Sequence, residues 1–240
     1  MGNVPSVPAA VTELATREDF GPFQGVFHAH SAVRTHAQNI YMYTKGGVFL
    51  DGREAIGNPG DGATVCIRWD QVTGFIQMVV KRQGLPPSTT HQYIFILRDL
   101  RQHKVTSSTV LDGEMRGFAA VADPLITAAQ LEPMARRLKR GESISFGPFR
   151  AEPDGIRIEK NDRTVPWADI TEITITKAMG GLAHSSPHLN LMAKNKKAHS
   201  FQLEKVFNRS AFCALAKMHG IPVTGQVPGF LQNELPRIFP

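Results

Sequence analysis

The sequence contains few of the residues that cross-link extracellular domains or build metal clusters. Only two of its 240 residues are cysteines, Cys66 and Cys213, and both have apolar neighbours. Two thiols supply neither a disulfide framework nor a four-thiolate zinc site. We therefore interpret both as buried thiols in a reducing compartment, and we expect neither a metal nor another cofactor.

Long apolar runs and targeting signals are missing as well. No stretch reaches the roughly 18 consecutive apolar residues of a transmembrane helix. Residues 1–16 have no basic leading segment, and Pro5 and Pro8 interrupt their short apolar stretch, which argues against a secretory signal. We therefore expect a cytoplasmic protein, with any membrane contact confined to its surface.

Motifs of common catalytic sites are also absent. The sequence has no Gly-x-Ser-x-Gly nucleophile motif and no phosphate-binding Gly-x-x-x-x-Gly-Lys-[Ser/Thr] loop. His28 and His30 share one face of a predicted strand, but no third ligand is near in sequence, which favours surface histidines over a metal site. We predict no catalytic, cofactor-binding or metal residues, although distant carboxylates can still meet in space.

The charge is mildly basic and evenly spread. With 27 basic and 21 acidic residues the formal charge is +6, and residues 1–141 and 142–240 each carry +3. A nucleic-acid-binding domain usually concentrates its positive charge, so specific nucleic-acid binding is not expected.

Two local basic clusters stand out from this even distribution. Either can contact phosphates or anionic lipid headgroups. The alternative, which we prefer, is a solvated helix end that complements the helix dipole, and a charged hairpin turn that discourages edge aggregation. The first cluster consists of Arg136, Arg137, Lys139 and Arg140, and the second of Lys194, Lys196 and Lys197.

Alternating apolar residues, interrupted by glycine-rich turns, predict two mainly β modules, each of which ends in a helix. Pro124 is expected to kink or restart the first helix, and Asn208 is the predicted N-cap of the second. The predicted segments are an N-terminal tail (1–21), module 1 with its closing helix and connector (22–141), module 2 (142–220) and an apolar C-terminal tail (221–240).

An internal repeat is the most informative pattern. Each half contains a glycine, an apolar strand and then Trp-x-x-[Val/Ile]-Thr-x-[Phe/Ile]. The glycine and tryptophan are Gly47 and Trp69 in the first copy and Gly155 and Trp167 in the second, so the only two tryptophans of the chain are equivalent.

Each copy also ends in a helix that carries a phenylalanine, Phe118 or Phe212. Such a helix closes one end of a small sheet that would otherwise expose apolar surface. The predicted fold class is α+β, mainly β, with two strongly bent antiparallel sheets of about seven strands, each capped by its C-terminal helix.

This organisation resembles a family of tandem bacterial pleckstrin-homology-like (PH-like) domains. In that family the first module ends with Gly-Glu-x-[Val/Ile]-x-Phe-Gly, and here residues 141–147 have this pattern. The resemblance covers roughly residues 20–220, and its motifs are structural, so it transfers no functional residues. Lipid-binding pleckstrin modules usually carry basic residues in the first strand–loop–strand. The comparable segments, residues 30–38 and 147–153, hold only Arg34 and Arg150 as basic residues, which argues against phosphoinositide binding.

Three functions follow in order of preference. The first is a non-catalytic binding or scaffold protein that contacts a protein partner or a second copy of itself through edge strands. The second is weak peripheral association with an anionic membrane through the basic clusters. The third is an enzyme of unrecognised type, for which no motif gives support.

Overall fold

The structure is a computed structural model that describes residues 7–30, 37–51, 64–82, 88–109, 113–177, 187–195 and 197–225. These ranges contain three α-helices and fifteen β-strands, which confirms the prediction of an α+β chain that is mainly β. The chain forms two compact units. Unit 1 comprises residues 1–73 and 77–126, and unit 2 comprises residues 74–76 and 127–240.

Unit 1 begins with a helix, followed by a four-stranded antiparallel sheet in chain order and a three-stranded sheet. A second helix begins in unit 1, and its residues from Thr127 onward belong to unit 2. The elements are α1 (Ala9–Arg17), β1 (Phe23–His30), β2 (Ala37–Tyr43), β3 (Gly46–Asp51), β4 (Val65–Arg68), β5 (Val72–Arg82), β6 (Ser88–Leu97), β7 (Gln102–Thr109) and α2 (Gly113–Lys139).

Unit 2 has the same order of elements. Four short strands form one antiparallel sheet. The second sheet has three antiparallel strands before the helix and a fourth, parallel strand after it. The elements are β8 (Ile144–Ser145), β9 (Phe149–Ala151), β10 (Gly155–Ile158), β11 (Arg163–Pro166), β12 (Ile170–Lys177), β13 (Pro187–Ala193), β14 (Ala198–Gln202), α3 (Arg209–Met218) and β15 (Val223–Gly225).

The prediction of one strongly bent sheet per module is wrong. Each unit has two separate sheets, and a short 3₁₀ turn interrupts the chain between them, at Trp69–Gln71 in unit 1 and at Trp167–Asp169 in unit 2. Because a 3₁₀ turn breaks the strand ladder, the chain changes sheet at each tryptophan instead of curving continuously.

Part of the predicted N-terminal tail is an ordered helix. On α1, Val11 and Ala15 are buried against Tyr41, Tyr43 and Val48 of β2 and β3. These strand residues point away from the inner face that holds Phe49, so they would otherwise expose an apolar surface. α1 therefore acts as a cover for the outer face of the first sheet.

The long helix α2 runs through Pro124, where the sequence predicts a kink or a new start. Proline costs a helix one backbone hydrogen bond and introduces a steric clash. Ala122 and Ile126, on either side of it, are 0% and 1% exposed. Burial of this stretch therefore outweighs the local cost, and the expected restart at Asp123 does not occur.

Asn208 does stand at the start of α3, but not as the predicted side-chain cap. It has a left-handed backbone (φ 45°), and its side chain makes no hydrogen bond to the helix. Its Oδ1 instead accepts from the backbone N–H of Phe75, at 2.7 Å, and its own N–H donates to the Phe75 carbonyl. Phe75 belongs to the three-residue segment of β5 that groups with unit 2.

The start of the predicted C-terminal tail belongs to unit 2. Ile221 is buried, and β15 pairs in parallel with β12. Phe230 and Leu231, which the sequence suggests as docking residues, lie outside the described residues. Of the two cysteines, Cys213 is buried and Cys66 is partly buried; burial raises the pKa of the Cys66 thiol.

Candidate functional site

The two tryptophans have matching hydrogen bonds. The Trp69 indole N–H donates to the Tyr43 carbonyl at 3.1 Å, and the Trp167 indole N–H donates to the Glu152 carbonyl at 2.9 Å. Tyr43 is the last residue of β2, which precedes β3. Glu152 directly follows the last residue of β9, which precedes β10. Both indoles therefore tie the end of one hairpin to the turn that leads into the second sheet.

Backbone pairing corrects the register of the predicted repeat by one residue. Gly46 pairs with Arg68, the residue before Trp69, and Gly155 pairs with Pro166, the residue before Trp167. The structural counterpart of Gly155 is therefore Gly46 and not Gly47. Sequence alone misplaces it because two adjacent glycines begin β3, and only the strand partner distinguishes them.

The correspondence continues beyond the tryptophans. Thr73 Oγ1 donates to the Ile96 carbonyl, and Thr171 Oγ1 donates to the Met192 carbonyl. At the following turn, the backbone N–H of Arg98 donates to Gln71 and that of Lys194 donates to Asp169. These bonds align the corner before β5 with the corner before β12, residue by residue.

The two helix phenylalanines are also similarly placed. Phe118 is fully buried, with its ring centroid 4.9 Å from that of Tyr93 and 5.5 Å from that of Phe27. Phe212 is fully buried as well, 4.6 Å from Phe149. Each ring packs against strand aromatics of its own unit.

Ion pairs occupy most of the first predicted basic cluster. Arg137 and Arg140 both bind the Glu142 carboxylate at 2.8 Å, and Arg136 pairs with Glu132 at 3.3 Å. Because of the two arginines, the pKa of Glu142 is lowered. This arrangement is that of a solvated helix end; only Lys139 has no ion-pair partner among the described residues.

The second predicted cluster borders a depression in unit 2. Lys194 and Lys197 lie on the turn between β13 and β14, while Lys196 lies outside the described residues. The cavity, of about 140 Å³, opens beside this turn. Its lining includes Arg163, Lys194, Asn195, His199 and Asp169, together with the apolar residues Val165, Pro166 and Ala193.

Arg163 and His199 belong to this lining although no motif in the sequence marks them as site residues. His199 lies on β14 and has its pKa lowered by burial first, and then by the charges of Lys197 and Arg163. Its counterpart in unit 1, five residues after the matched turn position, is His103, whose ring packs 4.7 Å from that of Phe49. Extending the tryptophan alignment in both directions pairs His199 with His103, and pairs Arg163 with Val65, four residues before each tryptophan.

The described residues contain no metal-binding cluster and no helix that could span a membrane. Within them, no three His, Cys, Asp or Glu side chains are placed to hold a metal ion. His28 Nδ1 lies 2.6 Å from Asn39 Oδ1, and the side chain of His30 is outside the described set. None of the described helices combines the length and apolar character needed to cross a bilayer.

The fold and this site define a mainly β protein of two similarly ordered units, the second of which carries a basic depression at its corner. The chain belongs to DUF6585, a family of unknown function, which matches residues 23–221. The match begins with β1 and therefore leaves out α1. No curated protein matches the chain.

Proposed function

We propose that this chain is a non-catalytic interaction protein of two PH-like modules that binds a protein partner through strand β14. The shared element order and the matched tryptophan, threonine and turn hydrogen bonds support a duplicated module. In such a fold the sheets and closing helix provide rigidity, and recognition falls to edges and turns.

The observation that carries the proposal is the edge position of β14. It pairs with β13 from Ala198 to Gln202, and no other described strand is hydrogen-bonded to it. In unit 1 the corresponding strand, β7, lies beside β1. A strand with one unpaired edge offers its N–H and C=O groups to an extended segment of a partner.

The register identifies which groups face outward. The N–H of Ala193 donates to the Lys197 carbonyl, so these two residues form a hydrogen-bonded pair. Because such pairs alternate along an antiparallel ladder, the N–H groups of Ala198, Ser200 and Gln202 point away from β13. Ala198 and Ser200 are exposed.

Replacing Ser200 tests this edge. Ser200→Pro removes one outward N–H without breaking the ladder to β13, a position that edge strands tolerate. Ser200→Thr keeps the N–H and serves as the matched control. Cross-linking with a lysate and mass spectrometry should recover a partner with the wild-type chain and Ser200→Thr, and at least tenfold less with Ser200→Pro.

Circular dichroism and thermal unfolding establish that both variants fold. Equal recovery of every partner by a folded Ser200→Pro chain would contradict binding through β14. Recovery of no partner by the wild-type chain would remove the protein-partner proposal itself.

A further inference from the structure

We propose that the depression at the corner of unit 2 is a binding site for a phosphate-type anion, held by Arg163, Lys194 and His199. This site is independent of the β14 edge, because its donors are side chains and the edge uses backbone groups. Cations in this unit differ in whether they have ion-pair partners, and the matched corner of unit 1 holds different side chains.

Two other arginines of the first sheet of unit 2, Arg150 and Arg157, are neutralised by ion pairs. Arg150 binds Glu159, and Arg157 binds Asp162. By contrast, Arg163 and Lys197 have no ion-pair partner among the described residues, and Lys194 Nζ lies 3.9 Å from Asp169, at the outer limit of an ion pair. The cations at the depression are therefore less compensated than Arg150 and Arg157.

At the matched corner of unit 1, two positions hold apolar side chains. Counting back four residues from each tryptophan, Arg163 takes the place of Val65. At the matched turn, Ala193 takes the place of Leu97, which is 8% exposed. The smaller alanine leaves space where unit 1 has a leucine side chain, and the arginine places a guanidinium at that space. A structural role alone would favour the apolar version.

The donors suit an anion with several oxygens. Arg163 offers a forked set of N–H groups, and Lys194 offers a compact positive charge. The amide oxygen of Asn195 already accepts from the Lys197 backbone N–H at 3.0 Å, which leaves the Asn195 NH₂ group to donate. His199 adds a ring N–H. A tetrahedral phosphate accepts from more directions than a carboxylate, and arginine pairs with it in a bidentate manner.

Asp169 is the one anionic group in the lining, and it limits affinity. Its carboxylate competes with a bound anion for Lys194 and repels that anion directly. Removal of this charge should therefore strengthen binding, which separates a site of defined geometry from a general preference of a basic protein for anions.

Inorganic phosphate is the first probe, titrated into the full-length ¹⁵N-labelled chain at constant ionic strength. We expect saturable amide shifts around Arg163 and from Lys194 to His199, with a dissociation constant in the millimolar range. Arg163→Val and Ala193→Leu each introduce the residue that unit 1 has at that position; both should weaken binding at least fivefold, the first by removing charge and the second by filling space. Asp169→Asn should tighten it.

Lys139→Gln is the matched control, because it removes one exposed cation outside the depression and should leave the affinity unchanged. Linear, unsaturated shifts, or equal weakening by Lys139→Gln and Arg163→Val, would overturn the site. Loss of binding by Ala193→Leu without loss by Arg163→Val would also overturn it, since the charge is then irrelevant. Thermal unfolding shows whether each variant is folded.

Two further arms distinguish the source of the phosphate. One titrates glycerol 3-phosphate, a soluble phosphomonoester, and the other sediments the chain with phosphatidylcholine vesicles that contain phosphatidic acid. Binding in solution without sedimentation supports a soluble phosphomonoester. Sedimentation that Arg163→Val abolishes and Lys139→Gln does not supports a lipid headgroup. Failure of both arms, together with no saturation by phosphate, rejects the proposal and leaves the Ser200 experiment unaffected.

Discussion

At the scale of the residue, one partly buried histidine shows how tertiary packing lowers a pKa. The partly buried His103 ring lies 4.7 Å from that of Phe49 and 6.3 Å from that of Phe95, and Gln38 Nε2 lies 3.4 Å from its Nε2 atom. Burial lowers the pKa of His103 from 6.5 to about 4. Nothing in the local sequence of β7 distinguishes it from a surface histidine, because the two phenylalanines come from other strands.

This histidine makes stability depend on pH. Between pH 6.5 and about 4 the unfolded chain binds a proton at His103 and the folded chain does not, so the free energy of unfolding falls as the pH decreases through this window. The full shift corresponds to roughly 3 kcal/mol. Above pH 6.5 the contribution is constant, and below pH 4 no further loss occurs.

Urea unfolding of the wild-type chain and of His103→Leu at several pH values between 3.5 and 7.5 measures this contribution. The difference between the two curves should grow with falling pH, with the wild-type chain losing more. Parallel curves would show that His103 is protonated equally in both states.

At the scale of the element, the two glycines of the motif at residues 141–147 have separate structural roles. Gly141 ends α2 with φ 85°, and its N–H donates to the Leu138 carbonyl. Gly147 lies between β8 and β9 with φ 93°, and a Cβ there would collide with the Lys205 carbonyl. Both positions need a left-handed backbone, which glycine adopts without cost.

The two glycines serve as controls for each other. Gly141→Ala should cost about 1 kcal/mol, because a Cβ there meets no atom within 4 Å and only the backbone strain remains. Gly147→Ala adds the collision with backbone, and we expect a loss above roughly 3 kcal/mol. Chemical denaturation of the two variants gives both values. Equal losses would mean that the Lys205 segment moves aside.

At the scale of the whole molecule, the units share a framework and differ in their surfaces. The outer face of the first sheet in unit 1 is apolar, with Val48 covered by α1, whereas its counterpart in unit 2 is Arg157, which is ion-paired. The corners differ at two matched positions, which hold Val65 and Leu97 in unit 1 and Arg163 and Ala193 in unit 2. The proposed anion site therefore belongs to unit 2.

An exchange between the copies tests this division. Val65→Arg combined with Leu97→Ala should create a second phosphate site in unit 1, with shifts near His103 and a stoichiometry of two. Loss of the Leu97 side chain costs about 2–5 kcal/mol, so the Leu97→Ala single variant is the control for stability. A folded double variant that still binds one phosphate would show that these two positions are not sufficient.

The sequence supports a substantial part of this description. Alternating apolar residues and glycine-rich turns predict most strands, and the Trp-x-x-[Val/Ile]-Thr pattern identifies the matched corners. Prediction fails where a long-range partner decides the outcome. The restart at Asp123 does not occur because the neighbours of Pro124 are buried, Asn208 turns its side chain to Phe75, and α1 is an ordered cover because β2 and β3 expose an apolar face.

The sequence by itself therefore determined the class of the fold, the duplicated pattern and the equivalence of Trp69 and Trp167, since these depend on local periodicity and on residue types at fixed spacing. Tertiary structure alone decided which cations are neutralised and which edge is unpaired. Arg137 meets Glu142 and Arg163 meets no carboxylate among the described residues, although both are arginines in a mildly basic chain. Charge compensation depends on distances of a few ångströms between side chains, and only the folded chain sets those distances.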